Sequence, residues 1–187
     1  MNVKPILFSS EMVRALLEGR KTQTRRVVKY RNYAEQDAPI YPHECPYGKP
    51  GDLLWVRETW GDPWHHAQPR AFYRATDEKE VGWHPDFDGW KPSIHMPRWA
   101  SRLTLRITDV RVQRLQDVTR ADCVVEGCTE RNTDGAWYGP EVSFAHLWDR
   151  INARRGYGWN ENPWVWCLSF EVIQQNVDSY IYTKAVA

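Results

Sequence analysis

The chain lacks a long hydrophobic run, an excess of either charge, a cysteine framework and much aliphatic bulk, and each shortage closes off a class of protein. No apolar stretch approaches the ~18 residues that a membrane-crossing helix needs. The first residues, Met-Asn-Val-Lys-Pro-Ile-Leu-Phe-Ser-Ser, are too polar for a signal peptide. No membrane association and a cytoplasmic address are expected. With 25 basic and 24 acidic residues the net charge is +1, which argues against coating duplex nucleic acid by bulk electrostatics and leaves room only for a local basic patch. The four cysteines, Cys45, Cys123, Cys128 and Cys167, are unevenly spread, so four thiols are expected rather than disulfides. With 11 Gly and 12 Pro among 187 residues the chain is not collagen-like, linker-dominated or low-complexity, and it shows no internal repeat.

Leu, Ile, Val and Phe supply only 38 of the 187 residues, but 11 Trp and 9 Tyr provide the missing apolar mass. Each buries a large area, and rings left exposed would suit flat ligands such as nucleobases. Metal chemistry finds little support. His43-Glu44-Cys45-Pro46 lacks the P-C-x-x-C partner of a zinc deaminase, and Cys123 and Cys128 have no second pair to complete a tetrahedral set. His65-His66 reads as a solvated loop. No metal and no cofactor are expected.

Hydrophobic periodicity then places the elements. Residues 3–8 read as a strand, and Ser9 or Ser10 caps a helix with Val13, Leu16 and Leu17 on its apolar face and Gly19 as its stop. Residues 21–28 and 52–60 read as strands, 71–75 as a weaker one, and 61–100 as a long ordered insertion, rich in Trp and Pro, with little regular structure. Leu103, Leu105 and Ile107 alternate with polar residues and the parity changes before Val110, predicting one long strand with a bulge near Asp109. Thr119 and Asp122 form a capping box for a short helix closed by Gly127, and Pro140 opens a helix with Phe144, Leu147, Trp148 and Ile151 on one face. Residues 164–172 alternate as a half-buried strand in which Trp164 and Trp166, like Trp55 earlier, are core candidates. The tail, 174–187, shows no pattern. The expected fold class is α+β: a small mixed or antiparallel β-barrel with flanking helices and the long insertion, forming one domain over residues 1–173.

The densest chemical signal is Gly19-Arg20-Lys21-Thr22-Gln23-Thr24-Arg25-Arg26, directly after the first helix. Taken alone it is a helix stop followed by a basic edge strand. The spacing of Gly19, Lys21 and Arg26 is G-x-K-x-x-x-x-R, and on these residues, together with the helix at 12–19 and the strand Gly51-Asp52-Leu53-Leu54-Trp55-Val56, the sequence resembles the ASCH domain family of the PUA-like superfamily. The resemblance runs from Lys4 to Glu171. The segment at 90–102, Trp-Lys-Pro-Ser-Ile-His-Met-Pro-Arg-Trp-Ala-Ser-Arg, resembles the larger tryptophan-rich ASCH proteins of phages and prophages.

The resemblance implies a PUA-like barrel with a pocket for a nucleotide or RNA, and in one type an amidohydrolase that removes the acyl group from N4-acetylcytidine. It places the working lysine and threonine on Lys21 and Thr24 and the glutamate on Glu126. Arg26, Arg57, Glu58 and Trp60 are the substrate-binding candidates, the last three lying at the end of the Trp55 strand where family pockets open. Arg57 with Glu58 reads equally well as an ordinary surface pair. The expected partner is a nucleoside, with single-stranded RNA as the alternative.

Amide hydrolysis needs a nucleophile, an oxyanion stabiliser and a proton donor for the leaving amine. Either Lys21 deprotonates Thr24, or Glu126 activates water while Lys21 holds the oxyanion and Thr24 positions the base. Lys21, partly buried and near Arg20, Arg25 and Arg26, is expected to have a lowered pKa. Glu126, at the C-terminal end of its helix, sits where the macrodipole disfavours a carboxylate. Lys21 and Thr24 differ by an odd number and so face opposite sides of an ideal strand. An ASCH module that binds RNA without chemistry, or a ribonuclease that uses Lys21 and Glu126 as base and acid, would draw on the same residues.

Overall fold

The structure, a computed structural model, describes residues 1–29, 41–62, 71–81, 87, 89–133 and 136–186. His65-His66 lies outside them. The elements among the described residues alternate without a regular strand–helix repeat, and a mixed five-stranded sheet has the order β1-β3-β6-β9-β2. This is an α+β fold, as the periodicity predicts. The chain divides into two compact units, one of Met1–Gly19, Gly51–Arg106 and Glu171–Ala187, the other of Arg20–Pro50 and Ile107–Phe170. No helix among the described residues is long and apolar enough to cross a membrane.

In the first unit β1 (Val3–Leu7) runs parallel to β3 (Leu53–Arg57), with Val3 opposite Leu53 and Leu7 opposite Arg57. A parallel pair cannot be joined by a tight turn, so the chain between them is a long crossover. It opens with α1 (Ser10–Leu17), whose N-cap Ser9 accepts from the Met12 N–H and whose buried face is Met12, Val13, Ala15 and Leu16. Gly19 stops the helix at φ +72°, a conformation costly for any residue with a Cβ. The start of β6 (Thr104–Arg114) pairs antiparallel with β3, Leu54 opposite Leu105. Along β6 Leu105, Ile107 and Val110 are buried while Thr108 and Asp109 are exposed, the expected change of parity.

Two segments of this unit depart from expectation. The insertion is more regular than its composition suggests: β4 (Trp60–Gly61) and β5 (Phe72–Tyr73) pair, and α2 (Arg74–Val81) occupies residues that begin where a weak strand was expected. Among the residues of α2 whose burial is described, only Ala75 and Val81 are buried, too sparse a signal for a helical period, and local bonds support it instead: Asp77 Oδ2 accepts from the Tyr73 N–H, and Arg74 pairs with Glu78 one turn on. The tail is likewise ordered, as α5 (Val177–Val186). Val177, Tyr180 and Ile181 recur at helical spacing and pack with Val3, Leu53 and Trp55. Asn176 caps the helix through its side-chain oxygen and donates to the carbonyls of Arg98, Trp99 and Ser101 at 3.0, 3.3 and 2.8 Å.

In the second unit β2 (Gln23–Val27) lies antiparallel to β9 (Trp164–Ile173), with Arg25 opposite Cys167. Val165, Trp166, Cys167 and Leu168 are all buried, so β9 is covered on both faces rather than half-buried, as suits a strand inside the sheet order. α3 (Arg120–Val125) starts in the expected Thr119–Asp122 capping box, and α4 (Pro140–Asn152) buries Phe144 and Trp148. A hairpin unannounced by the sequence, β7 (Arg131–Thr133) with β8 (Ala136–Tyr138), precedes α4. The core gathers Leu115, Cys123, Cys128, Phe144, Trp148, Val165 and Cys167. All four cysteines are buried and none forms a disulfide.

The fold makes one checkable demand on its tail. Replacing Asn176 by Ala removes the cap and leaves three carbonyls without this donor, so unfolding in urea should show a loss of about 1–2 kcal/mol.

Candidate functional site

Gly19 turns the chain out of α1, and Lys21 then pairs backbone to backbone with Glu126 in an isolated antiparallel bridge, reinforced by the Thr22 N–H donating to the Val125 carbonyl at 2.9 Å. Glu126 is the C-cap of α3: its N–H donates to the Asp122 carbonyl at 2.9 Å, and Gly127 follows at φ +89°. These two short-range events, a helix stop and a helix cap, set two residues 105 positions apart side by side.

Lys21 Nζ donates to Glu126 Oε2 at 2.6 Å and to the Glu126 carbonyl at 2.9 Å. One ammonium thus neutralises the carboxylate and also answers the helix C-terminus, offsetting the unfavourable dipole position. Lys21 is 0% exposed and Glu126 5%. Burial, which penalises the charged form, is the largest influence on Lys21 and lowers its pKa from 10.5; Glu126 works against it, while Arg26 adds to the lowering. The expected lowering is present, but its main cause is lost solvent rather than the neighbouring arginines. Arg20 points elsewhere, donating to the Gly127 carbonyl at 3.0 Å.

A second cation, which the sequence reading left outside the catalytic set, completes the arrangement. Arg25 Nη1 donates to Glu126 Oε1 at 3.1 Å and to Gln23 Oε1 at 2.7 Å, while Nη2 stands 3.2 Å from Asp122 Oδ2. Parity could have found it, because Lys21, Gln23 and Arg25 are two apart and share one face of a strand. Thr24 has the other parity. It is buried opposite Leu168, and among the described residues no hydrogen bond joins its hydroxyl to Lys21 or Glu126. Of the three catalytic candidates the structure therefore joins Lys21 and Glu126 directly and leaves Thr24 outside their hydrogen bonds. Arg26, half-buried, lies opposite Trp166 on β9.

The other substrate-binding candidates belong to the first unit. Arg57 lies over the Trp55 ring at 5.3 Å and donates to the Ile94 carbonyl. Glu58 is buried and held by the Arg102 fork, Nε at 2.9 Å and Nη2 at 3.0 Å. Burial raises its pKa and Arg102 pulls against the rise. Arg57 and Glu58 therefore do not form a surface pair: each is held by a different partner, Arg57 by the Ile94 carbonyl and Glu58 by Arg102. Trp60 is buried against Met96 and Ala100, with the Trp99 ring edge-on at 5.9 Å and Lys91 Nζ 5.2 Å from its centre. Among the described residues no group of three or more His, Cys, Asp or Glu could hold a metal ion.

No protein-family model matches the chain, and no curated protein is similar to it in sequence. Solved structures similar to it include protein EF3133 from Enterococcus faecalis V583, carrying the family label DUF984, at 14% identity and TM-score 0.46 over 95% of this chain and 83% of that one. They also include an ASCH domain from Lactobacillus crispatus JV V101, at 14% identity and TM-score 0.44 over 91% of this chain and 79% of that one. Neither likeness bears on what the site does, which depends on the side chains of this chain.

The buried set gives an asymmetric expectation. Glu126→Gln leaves two buried cations without their shared anion and should cost about 3–5 kcal/mol in chemical denaturation, whereas Lys21→Met leaves Glu126 paired with Arg25 and should cost less. Because native Lys21 titrates below 10.5, the unfolded chain holds more protons between the native value and 10.5. The stability of the parent relative to Lys21→Met should therefore rise with pH through that interval, as denaturation at a series of pH values would show.

Proposed function

We propose that the chain is an ASCH-type amidohydrolase that removes the acyl group from N4-acylated cytosine nucleosides such as N4-acetylcytidine. The observation that carries this reading is the buried contact of Lys21 Nζ with Glu126 Oε2 at 2.6 Å. It sets a carboxylate that can take a proton from water beside a buried ammonium that can face an oxyanion. In the step we assign, Glu126 takes a proton from water, whose oxygen bonds to the acyl carbon while Lys21 stabilises the oxyanion. Collapse then breaks the bond to N4, which receives the proton, releasing cytidine and the carboxylic acid. Water rather than Thr24 is assigned as nucleophile because the Thr24 hydroxyl bonds to neither member of the pair among the described residues. The depth of the pair favours a nucleoside over a polymer as substrate, with entry by local opening at Glu126. Four buried cysteines with no disulfide among them accord with a cytoplasmic setting.

One observation favours a second reading. Both Glu126 oxygens are engaged, by Lys21 and by Arg25, so the set is also complete as a strut in a module that binds a nucleobase or single-stranded RNA without chemistry.

Incubating the purified protein with N4-acetylcytidine and following cytidine by chromatography separates the two. Turnover is expected, with Glu126→Gln lowering kcat by about 10²–10⁴-fold at near-normal affinity. Thr24→Ala should change kcat by less than about tenfold, since the assigned nucleophile is water; a loss as deep as that of Lys21→Ala would return the nucleophile to Thr24. Binding without conversion by the parent would hand the site to the second reading.

A further inference from the structure

The hydrolase step uses Lys21 and Glu126 and gives nothing to Arg25, although Arg25 touches more of the site's polar groups than either. Its side chain is shut away from solvent, with the guanidinium carbon 5.7 Å from the centre of the Phe144 ring. From there it hydrogen-bonds Glu126 through Nη1 at 3.1 Å and forms an ion pair with Asp122, Nη2 standing 3.2 Å from Oδ2 without a hydrogen bond. Asp122 and Glu126 are one helical turn apart, a spacing at which two carboxylates repel. A planar fork spans such a pair, and an ammonium, which is a point charge, does not.

The partners of Arg25 are themselves fixed. Asp122 is the capping-box residue of α3, accepting from the Thr119 N–H at 3.1 Å and bonded to the Thr119 hydroxyl at 2.9 Å. Burial acts to raise the Asp122 pKa, but Thr119, Arg25 and Arg111 outweigh it and hold the carboxyl below its ordinary value. Gln23, whose amide donates to Ser169 Oγ at 3.3 Å, offers its oxygen to the same Nη1 that holds Glu126. The first turn of α3 and the face of β2 are thereby connected through one guanidinium to a single oxygen of the residue that ends the helix. Arg25 is not a candidate for the proton step, because a guanidinium keeps its proton throughout the working pH range.

We infer that Arg25 is a positioning residue: by holding Glu126 Oε1 from the anchored Asp122 it fixes the carboxylate rotamer, so that Oε2 is the oxygen presented to Lys21 and to the reacting water. The inference rests on the hydrolase reading for its consequence in turnover, while the hold itself is measurable without turnover.

The test follows the Lys21 side chain by NMR titration in lysine-labelled protein, beside kcat and KM on N4-acetylcytidine and thermal melting, for the parent, Arg25→Met, Arg25→Lys and Asp122→Asn. The charged and titratable groups that act on Lys21 include Glu126 and Cys128, from the end of α3 and just beyond it, and Arg26 on β2. None is altered in these variants. In Arg25→Met the carboxylate is no longer held at Oε1, so its contact with Lys21, which raises the lysine against burial, is made less of the time and the Lys21 midpoint should fall. With the rotamer released, kcat should fall by about 10²-fold at unchanged KM. Arg25→Lys should lose kcat to a similar degree, since an ammonium cannot span both acids, and it carries the test if Arg25→Met does not fold. Asp122→Asn should show the same changes on a smaller scale. A Lys21 midpoint and kcat that stay at parent values in the arginine variants while the melting temperature falls would overturn the inference and make Arg25 a strut. If the parent itself does not convert N4-acetylcytidine, the hydrolase reading fails, and the Lys21 titration alone then decides whether Arg25 holds Glu126.

Discussion

The second unit depends on finding partners for one buried carboxylate. Glu126 ends a short helix where the peptide dipoles favour a cation, and it does so out of water, so an unpaired charge there would outweigh most of what the surrounding apolar residues gain. Two cations of equal parity resolve this, Lys21 just before β2 at Oε2 and Arg25 on β2 at Oε1. Their geometry in turn requires that α3 begin at Thr119 and stop at Gly127, that the chain leave α1 at Gly19, and that β2 keep its register with β9. The capping and stop signals are short-range devices, yet their combined effect is to bring together two segments about a hundred residues apart.

A comparison within the molecule shows how differently two buried acids are held. Glu58, in the first unit, is as deeply buried and is gripped by both arms of Arg102, which also stacks on Tyr73 at 3.9 Å. Its cation never gives up a proton, so the pair is a fastening. Glu126 has one partner of that kind, Arg25, and one of another, the compact ammonium of Lys21, which also donates to the Glu126 carbonyl.

Strong local signals made much of the fold legible. Ser9, the Thr119–Asp122 box, Pro140 and the stops at Gly19 and Gly127 act over three or four residues, and the helices start and end where they direct. The alternation in 103–112 survived its bulge because burial enforces a period of two on either side of it. α2 was missed because two buried residues, Ala75 and Val81, are too few to define a period. α5 was missed although Asn176 and the spacing of Val177, Tyr180 and Ile181 were there to be read; its β-branched and aromatic residues obscure a helix that stands by packing rather than by propensity. β9 looked half-buried because alternation by itself does not say how many of a strand's faces will be covered.

At the site the sequence by itself determined which residue types were available: a lysine and an arginine of equal parity after a glycine, and an acid at the end of a capped helix. Parity also separated Thr24 from Lys21, a consequence of the two-residue pleat that needs no tertiary information. Only the tertiary structure decided that Lys21 and Glu126 touch, that burial rather than the neighbouring arginines lowers the lysine, that Arg25 spans Asp122 and Glu126, and that Glu58 is fastened to Arg102. The physical reason is range. Caps, turns and pleats are settled among residues within a few positions of one another, whereas the pairing and desolvation of a charge depend on whichever distant segment the rest of the chain folds against it.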